Sequence, residues 1–508
     1  MRIFKLSLLL AVLIVSCQSE TPVTIENGLL IENVTILSPK IDNYNAFIGN
    51  IIIDNNKIIS VSEDSKTVKG TYKTIDGTGK YIIPGLIDSH VHLASIAGMG
   101  WKHKQKYPEF AKSYFNQLPK SYLYFGYTTL IDVNNYNPRI INHLLEKEIR
   151  PDIYTCGDQV VIDYDLMMNE SADENRFNEY PNFLNDIHNE NTKLPDTIDA
   201  KLHTPKALVS RIVNKNNGIC VKTLYEDGFG GTEELTWELP SHDIIKEIVK
   251  EAHEENIPVL LHANAYEAQK FGLETGVDIF AHGMWHWGKL SEYLDVKELP
   301  ETHKQLLIEI ANRGIGYQPT IRVVGGQKDV FDTNFYNNTD LSHVYPKDLL
   351  DWLQTEEGHW QEQNIRKYAK VFFDGLSNQE IMALLQKVVD KVEIATKTLA
   401  ENSANLIFGT DTPAANTHTM PPGLNGYLEM QNWQQSGVSL EQILLAATIN
   451  NARAFNLDSE YGTVEKNKIA NLLLLDQNPL ETIEAYNSIN KVIVGGQLLD
   501  RKNLSASN

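Results

Sequence analysis

Two histidines two residues apart, His90 and His92, close the run Pro84-Gly85-Leu86-Ile87-Asp88-Ser89-His90-Val91-His92. Leu86 and Ile87 are strand-like, and on a strand residues i and i+2 face the same side. On an inward-facing barrel strand both imidazoles would converge on the axis. Two imidazoles on one face suit a divalent transition metal, zinc above all. A bare His-x-His pair also occurs on ordinary surfaces; the Pro-Gly step and the apolar run before this one make it more specific. His262, His282 and Asp411 end the apolar runs Val259-Leu260-Leu261, Phe280-Ala281 and Phe408-Gly409-Thr410 in the same manner. Taken singly, either later histidine reads as a satisfied core residue. Taken together, five metal-type side chains at strand ends point to one centre.

The elements that must position them alternate. Ser241 to Glu254 reads as a helix with Ile244, Ile245, Ile248, Val249 and Ala252 on one face, followed by Pro258 and the strand Val259 to His262. Thr204-Pro205 is a helix start, Thr as N-cap and Pro at the first turn, and Ile219 to Lys222 is the strand after it. Ser439 to Gln442 makes a capping box. Strand-helix alternation of this kind is the pattern of a parallel sheet. The two ends of the chain differ: residues 23–83 and 459–508 read as short β-branched strands broken by Asn and Asp turns. We expect an α/β protein, a TIM (β/α)8 barrel over 84–458 with a small β-sandwich domain made from both termini. Two stretches are too long for ordinary connections: a polar one near 158–203, and one near 323–378 whose aromatic content suits a lid or pocket wall.

On these landmarks the chain resembles the amidohydrolase superfamily, in its imidazolonepropionase-like and prolidase-like branch. Pro84 to His92 is similar to the first barrel strand, Gly126 to Asp132 to the second, Val221-Lys222 to the fourth, Leu261 to Ala263 to the fifth, Phe280 to Gly283 to the sixth and Phe408 to Asp411 to the eighth. The tail from Gly462 through Asn471 to Pro479 is similar to the return into the sandwich, with Asn471 where that tail usually carries Asp. The resemblance implies two divalent metal ions held by His90, His92, Lys222, His262, His282 and Asp411, zinc by default. It implies that Lys222 is carboxylated and bridges the metals, and that Asp411 is general base and acid for hydrolysis of an amide-like bond by a metal-bound hydroxide. A lysine among Ile219, Cys220 and Val221 costs free energy unless it has such a purpose; the alternative is a lysine that snorkels to solvent. Tyr225, His418 and Trp285 are candidates to touch substrate, with His286 lining the pocket. His103, His203, His253, His343 and His359 have no motif around them and read as surface or packing residues.

Other readings stay open at this level. A one-metal deaminase of the same superfamily would carry Glu three residues after the fifth-strand His, where this chain has Ala265. A lactonase or esterase at the same centre is a third reading, and a metal-free binding lipoprotein a fourth, although none of the six positions is missing. A dipeptide, an N-acyl amino acid or a cyclic amide is the expected small-molecule substrate.

Composition sets the remaining bounds. Acidic residues outnumber basic ones, 66 to 45, for a net charge of -21, which disfavours nucleic acid as a partner. Arg2 and Lys5 precede an apolar run, Leu6 to Val15, too short to span a bilayer. Leu13 to Cys17 resembles a bacterial lipobox, so residues 1–17 read as a lipoprotein signal peptide, Cys17 as the lipidated residue and 18–22 as a linker. An exported enzyme tethered to a membrane, on its periplasmic or cell-surface side, is the expectation. Cys156 and Cys220 remain. They could bridge, but two buried strand thiols are the preferred reading.

Overall fold

The β-branched runs at both ends of the chain pair into one sheet. The computed structural model describes residues 22–40, 43–169, 175–189 and 194–507; Cys17, the leader and all but the last linker residue lie outside them. From Gly28 onward the long strand Val23–Lys40 pairs antiparallel with Asn43–Asp54. On its other side it pairs first with Val68–Asp76 and then with Tyr81–Pro84. Tyr81–Pro84 in turn pairs with Leu472–Leu475, Leu473 opposite Ile83. Lys57–Ser62, beside Asn43–Asp54, and Ile489–Val494 and Gln497–Asp500 complete an eight-stranded sheet. Alternate residues Leu29, Ile31, Ile36, Ile53, Leu472, Leu474 and Ile493 meet in one buried cluster. Strands from both ends of the chain thus share one continuous sheet, in place of the expected β-sandwich.

Gly85 links that sheet to the barrel. A Cβ there would lie 2.0 Å from the Thr128 Oγ1, so only glycine allows the first barrel strand, Leu86–Val91, to pass so close to the second, Tyr127–Asp132. Parallel pairing continues from Tyr127–Asp132 to Asp152–Thr155. A second parallel sheet runs in the order Val221–Leu224, Val259–His262, Ile279–Ala281, Gly316–Gln318. Isolated parallel bridges join the two sheets at both edges: Val160 with Thr223, Tyr317 with Leu406 and Val91 with Thr412. The Ser89 and Ile407 amides donate to Phe408 and Tyr317 carbonyls at 3.1 and 3.0 Å. The parallel segments thus follow one another in sequence order around a TIM barrel, beside the additional β domain.

The helices are placed by their apolar faces. His242–Glu254 buries the five residues its periodicity selects, Ile244, Ile245, Ile248, Val249 and Ala252, the larger ones worth about 1.5–3 kcal/mol each. Ser241 accepts the Ile244 amide as its N-cap, Thr204 accepts that of Ala207, and Ser439 forms its capping box with Gln442. The helix begun at Leu440 passes into a π-helical turn, Ala446–Asn450. The polar stretch near 158–203 folds over its own small cluster of Val161, Met168 and Phe183. The aromatic stretch is mainly helical; within it the Trp360 Nε1 donates to the Gly98 carbonyl and Gln361 to that of Asn416. It therefore clasps the loops that follow the first and eighth barrel strands, at the face where barrel chemistry sits.

One expectation is corrected. Cys156 and Cys220 are joined by a disulfide rather than standing as separate buried thiols. The Ile219 amide donates to the Thr155 carbonyl at 2.9 Å, so the third and fourth strands run side by side and bring the two Cα atoms within 4.4 Å. Spacing in sequence carries no sign of that pairing.

Candidate metal centre

All the candidate ligands but Lys222 sit at or beside the end of a strand. His90 and His92 close the first strand, Lys222 lies inside the fourth, His262 ends the fifth, and His282 and Asp411 follow the sixth and eighth. His282 and Asp411 both have positive φ, 93° and 56°, a conformation that costs about 1–3 kcal/mol away from glycine and clusters at functional sites. The Asp411 amide donates to the His90 carbonyl at 2.7 Å and the His92 amide to that of Thr412 at 2.8 Å, so strands one and eight hold their ligands in mutual register.

The side chains converge. His92 Nε2 lies 2.7 Å and His90 Nε2 3.3 Å from the same oxygen, Asp411 Oδ1. His282 Nδ1 is 3.9 Å from the other carboxylate oxygen. The ring centroids of His90 and His282 are 5.1 Å apart, and those of His262 and His282 4.5 Å. Ligand atoms of His90, His92 and Asp411 all lie within 4.8 Å of one another. Lys222 is 3% exposed, and its Nζ has no hydrogen-bond partner. Burial lowers its pKa to about 8, against the pull of Asp411. Burial alone would raise the Asp411 pKa, but His90, His92 and Lys222 bring it down to about 2. His90 is held far below its ordinary value by burial and by Lys222; burial would lower His92 too, but Asp411 lifts it. Nitrogen and carboxylate donors in this density, with an orphaned amine among them, fit divalent cations.

The second ring nitrogens are also engaged. His90 Nδ1 lies 3.0 Å from Gln318 Oε1, and His282 Nδ1 3.0 Å from Thr320 Oγ1. His262 Nε2 lies 3.3 Å from Glu226 Oε2. Such contacts fix which nitrogen keeps a free lone pair. Below the ligands, Asn451, at the end of the π-turn, bonds strand one at Ile87 and Ser89 and strand eight at Phe408. Sequence reasoning missed Glu226, Gln318, Thr320 and Asn451. Glu226 stands four residues after Lys222, which was its only visible signal.

The candidate substrate residues separate. Trp285 joins the centre, its ring 4.9 Å from that of His282. Tyr225 turns its ring onto Phe271 at 4.5 Å. His418 is buried among Gln361, 2.6 Å from its Nδ1, and Tyr336, which stacks on it; it ties the eighth-strand loop to the aromatic stretch. His286 is buried beside Phe229.

The model of the amidohydrolase family matches residues 81–282 and 367–499, more than half of the chain and every candidate ligand. This chain belongs to the amidohydrolase family. It is therefore an enzyme of metal-dependent C–N bond hydrolysis. The unmatched stretch between the two segments contains most of the aromatic insertion. Solved structures with the same fold include a prolidase complexed with N-methylphosphonate-L-proline (17% identity, TM-score 0.60, covering 93% of this chain and 99% of that one). A Xaa-Pro dipeptidase with methionine bound in its active site has 18% identity, TM-score 0.60 and the same coverage. The ochratoxinase of A. niger has 17% identity and TM-score 0.60, covering 94% of this amidohydrolase and 96% of the neighbour. No curated relative matches the chain significantly.

Proposed function

We propose that this amidohydrolase holds two divalent metal ions, zinc in the first instance, and hydrolyses the amide-like bond of a dipeptide, an N-acyl amino acid or a cyclic amide. His90, His92 and Asp411 would hold one ion and His262 and His282 the other, with Lys222 shared between them. Bound there, the metals would lower the pKa of a coordinated water to about 7 and polarise the scissile carbonyl. Asp411, ionised at neutral pH, accepts the proton of the attacking water and delivers it to the leaving nitrogen. Trp285 walls the His282 side.

The observation that carries this reading is the Lys222 amine, fully buried, without a partner and easily deprotonated. Neutral, it adds to carbon dioxide: the N–C bond forms, one proton leaves to solvent, and the resulting carbamate presents two oxygens to the centre. An ordinary structural lysine would pair or reach water. The one-metal deaminase reading lacks its carboxylate, since Ala265 occupies that place. The prolidase and dipeptidase of the same fold make dipeptides the first substrates to test. A screen of dipeptides, N-acyl amino acids and cyclic amides with metal-loaded enzyme should show C–N cleavage in one class. Lys222→Ala retaining full metal content and activity would overturn the two-metal reading.

The same proposal places the enzyme outside the cytoplasm, tethered through Cys17. The Cys156–Cys220 disulfide suits an oxidising compartment. Among the described residues no helix is long and apolar enough to cross a membrane; the tether in this proposal is a lipidated Cys17. Cys17→Ser should move the protein from the membrane to the soluble fraction; unchanged partition would refute the anchor.

A further inference from the structure

Three imidazoles of the centre have their second nitrogen engaged, and one of the partners is charged. Gln318 and Thr320 meet His90 and His282 as neutral groups, whereas His262 faces the carboxylate of Glu226. That carboxylate is buried and held from both sides. Its Oε2 accepts the Asn264 Nδ2 at 2.7 Å as well as facing His262. Its Oε1 accepts the amides of Gly228 and Phe229 at 2.9 and 3.2 Å. Those amides are presented by a loop in which Gly228, Phe229, Gly230 and Gly231 all have positive φ, and the Trp237 indole pins the Glu226 carbonyl at 2.8 Å. A loop turned this way, against the preference of Phe229, serves to fix one side chain.

We propose that Glu226 is the positioning residue for His262. Its carboxylate accepts a hydrogen bond from Nε2–H, so that Nδ1 alone offers a lone pair to a metal. Asn264 keeps Oε2 in place, and the glycine-rich loop fixes the other oxygen. The role rests on the metal centre proposed above and extends it: a carboxylate partner raises the donor strength of the His262 imidazole toward its metal.

The test is metal affinity, read by competition with a chromophoric chelator for zinc on the whole purified protein. In Glu226→Gln, the amide oxygen can keep the Gly228 and Phe229 bonds while its nitrogen cannot accept from His262. In Glu226→Ala the acceptor is gone in any orientation. Both variants should bind one zinc equivalent about 10–100-fold more weakly and the other unchanged. In a His262→Ala background, either Glu226 substitution should change zinc affinity no further. Two equivalents bound with wild-type affinity in both variants would overturn the positioning role. So would an effect that persists in the His262→Ala background, which marks a general structural role. Wild-type protein that binds no zinc would instead overturn the metal centre itself, an outcome separate from these.

Discussion

Lys222→Met should stabilise the metal-free protein while abolishing activity of the loaded one. The wild-type amine is buried without a partner, and its pKa falls from 10.5 to about 8. At about 1.4 kcal/mol per unit, holding the ammonium form in the fold costs about 3 kcal/mol. Methionine is unbranched, carries no charge and fills a similar volume, so most of that cost is recovered on substitution. The sign follows from proton binding. Below about pH 8 folded and unfolded forms are both protonated and the full penalty stands. Between about 8 and 10.5 the unfolded chain binds more protons than the folded one, so wild-type stability rises with pH. Above 10.5 the penalty has gone. Urea unfolding of chelator-treated protein should therefore show the variant ahead by about 2–3 kcal/mol at neutral pH, with the gap closing toward pH 10.5. A variant less stable than wild type at neutral pH, or a gap that does not change with pH, would refute the reasoning.

Asp411→Asn removes the proton carrier and one ligand; kcat should drop at least about 10²–10⁴-fold, checked by steady-state kinetics alongside metal content. Asn451→Ala breaks the bonds that tie strands one and eight beneath the ligands and leaves their buried partners unsatisfied; thermal unfolding should register a loss of about 3 kcal/mol. Cys156→Ser with Cys220→Ser opens a bridge between residues 64 apart, and denaturant titration should show a loss of about 2–5 kcal/mol, with a free-thiol assay of the unfolded wild type finding neither cysteine reactive.

Much of the site was legible because barrel chemistry collects at strand ends, and apolar runs announce strands. His90, His92, His262, His282 and Asp411 each followed such a run, and the structure gathers them. Lys222 was legible by its wrong surroundings, a cation among Ile219, Cys220 and Val221. What stayed hidden depends on approach between segments distant in sequence. Gln318 and Thr320 meet ligands 228 and 38 residues away, and Asn451 bonds Ser89 362 residues away; polar residues of those types carry no periodic signal. Glu226, which faces His262, is bonded by amides of a loop in which four consecutive residues take positive φ, which Gly228, Gly230 and Gly231 permit but do not announce. The disulfide is the same lesson: neither the third nor the fourth strand reveals its neighbour until the barrel order is known. His418 and Tyr225 were chosen for closeness in sequence to Asp411 and Lys222. On a loop, such closeness says little about where a ring points; His418 turns to Gln361 and Tyr225 to Phe271.

Anomalous diffraction from crystals of zinc-loaded protein tests the central claim most directly. The account predicts two anomalous peaks, one bounded by His90, His92 and Asp411 and one by His262 and His282, with density extending from Lys222 between them. A zinc ion elsewhere in the barrel, or none among these side chains at saturating zinc, would contradict it.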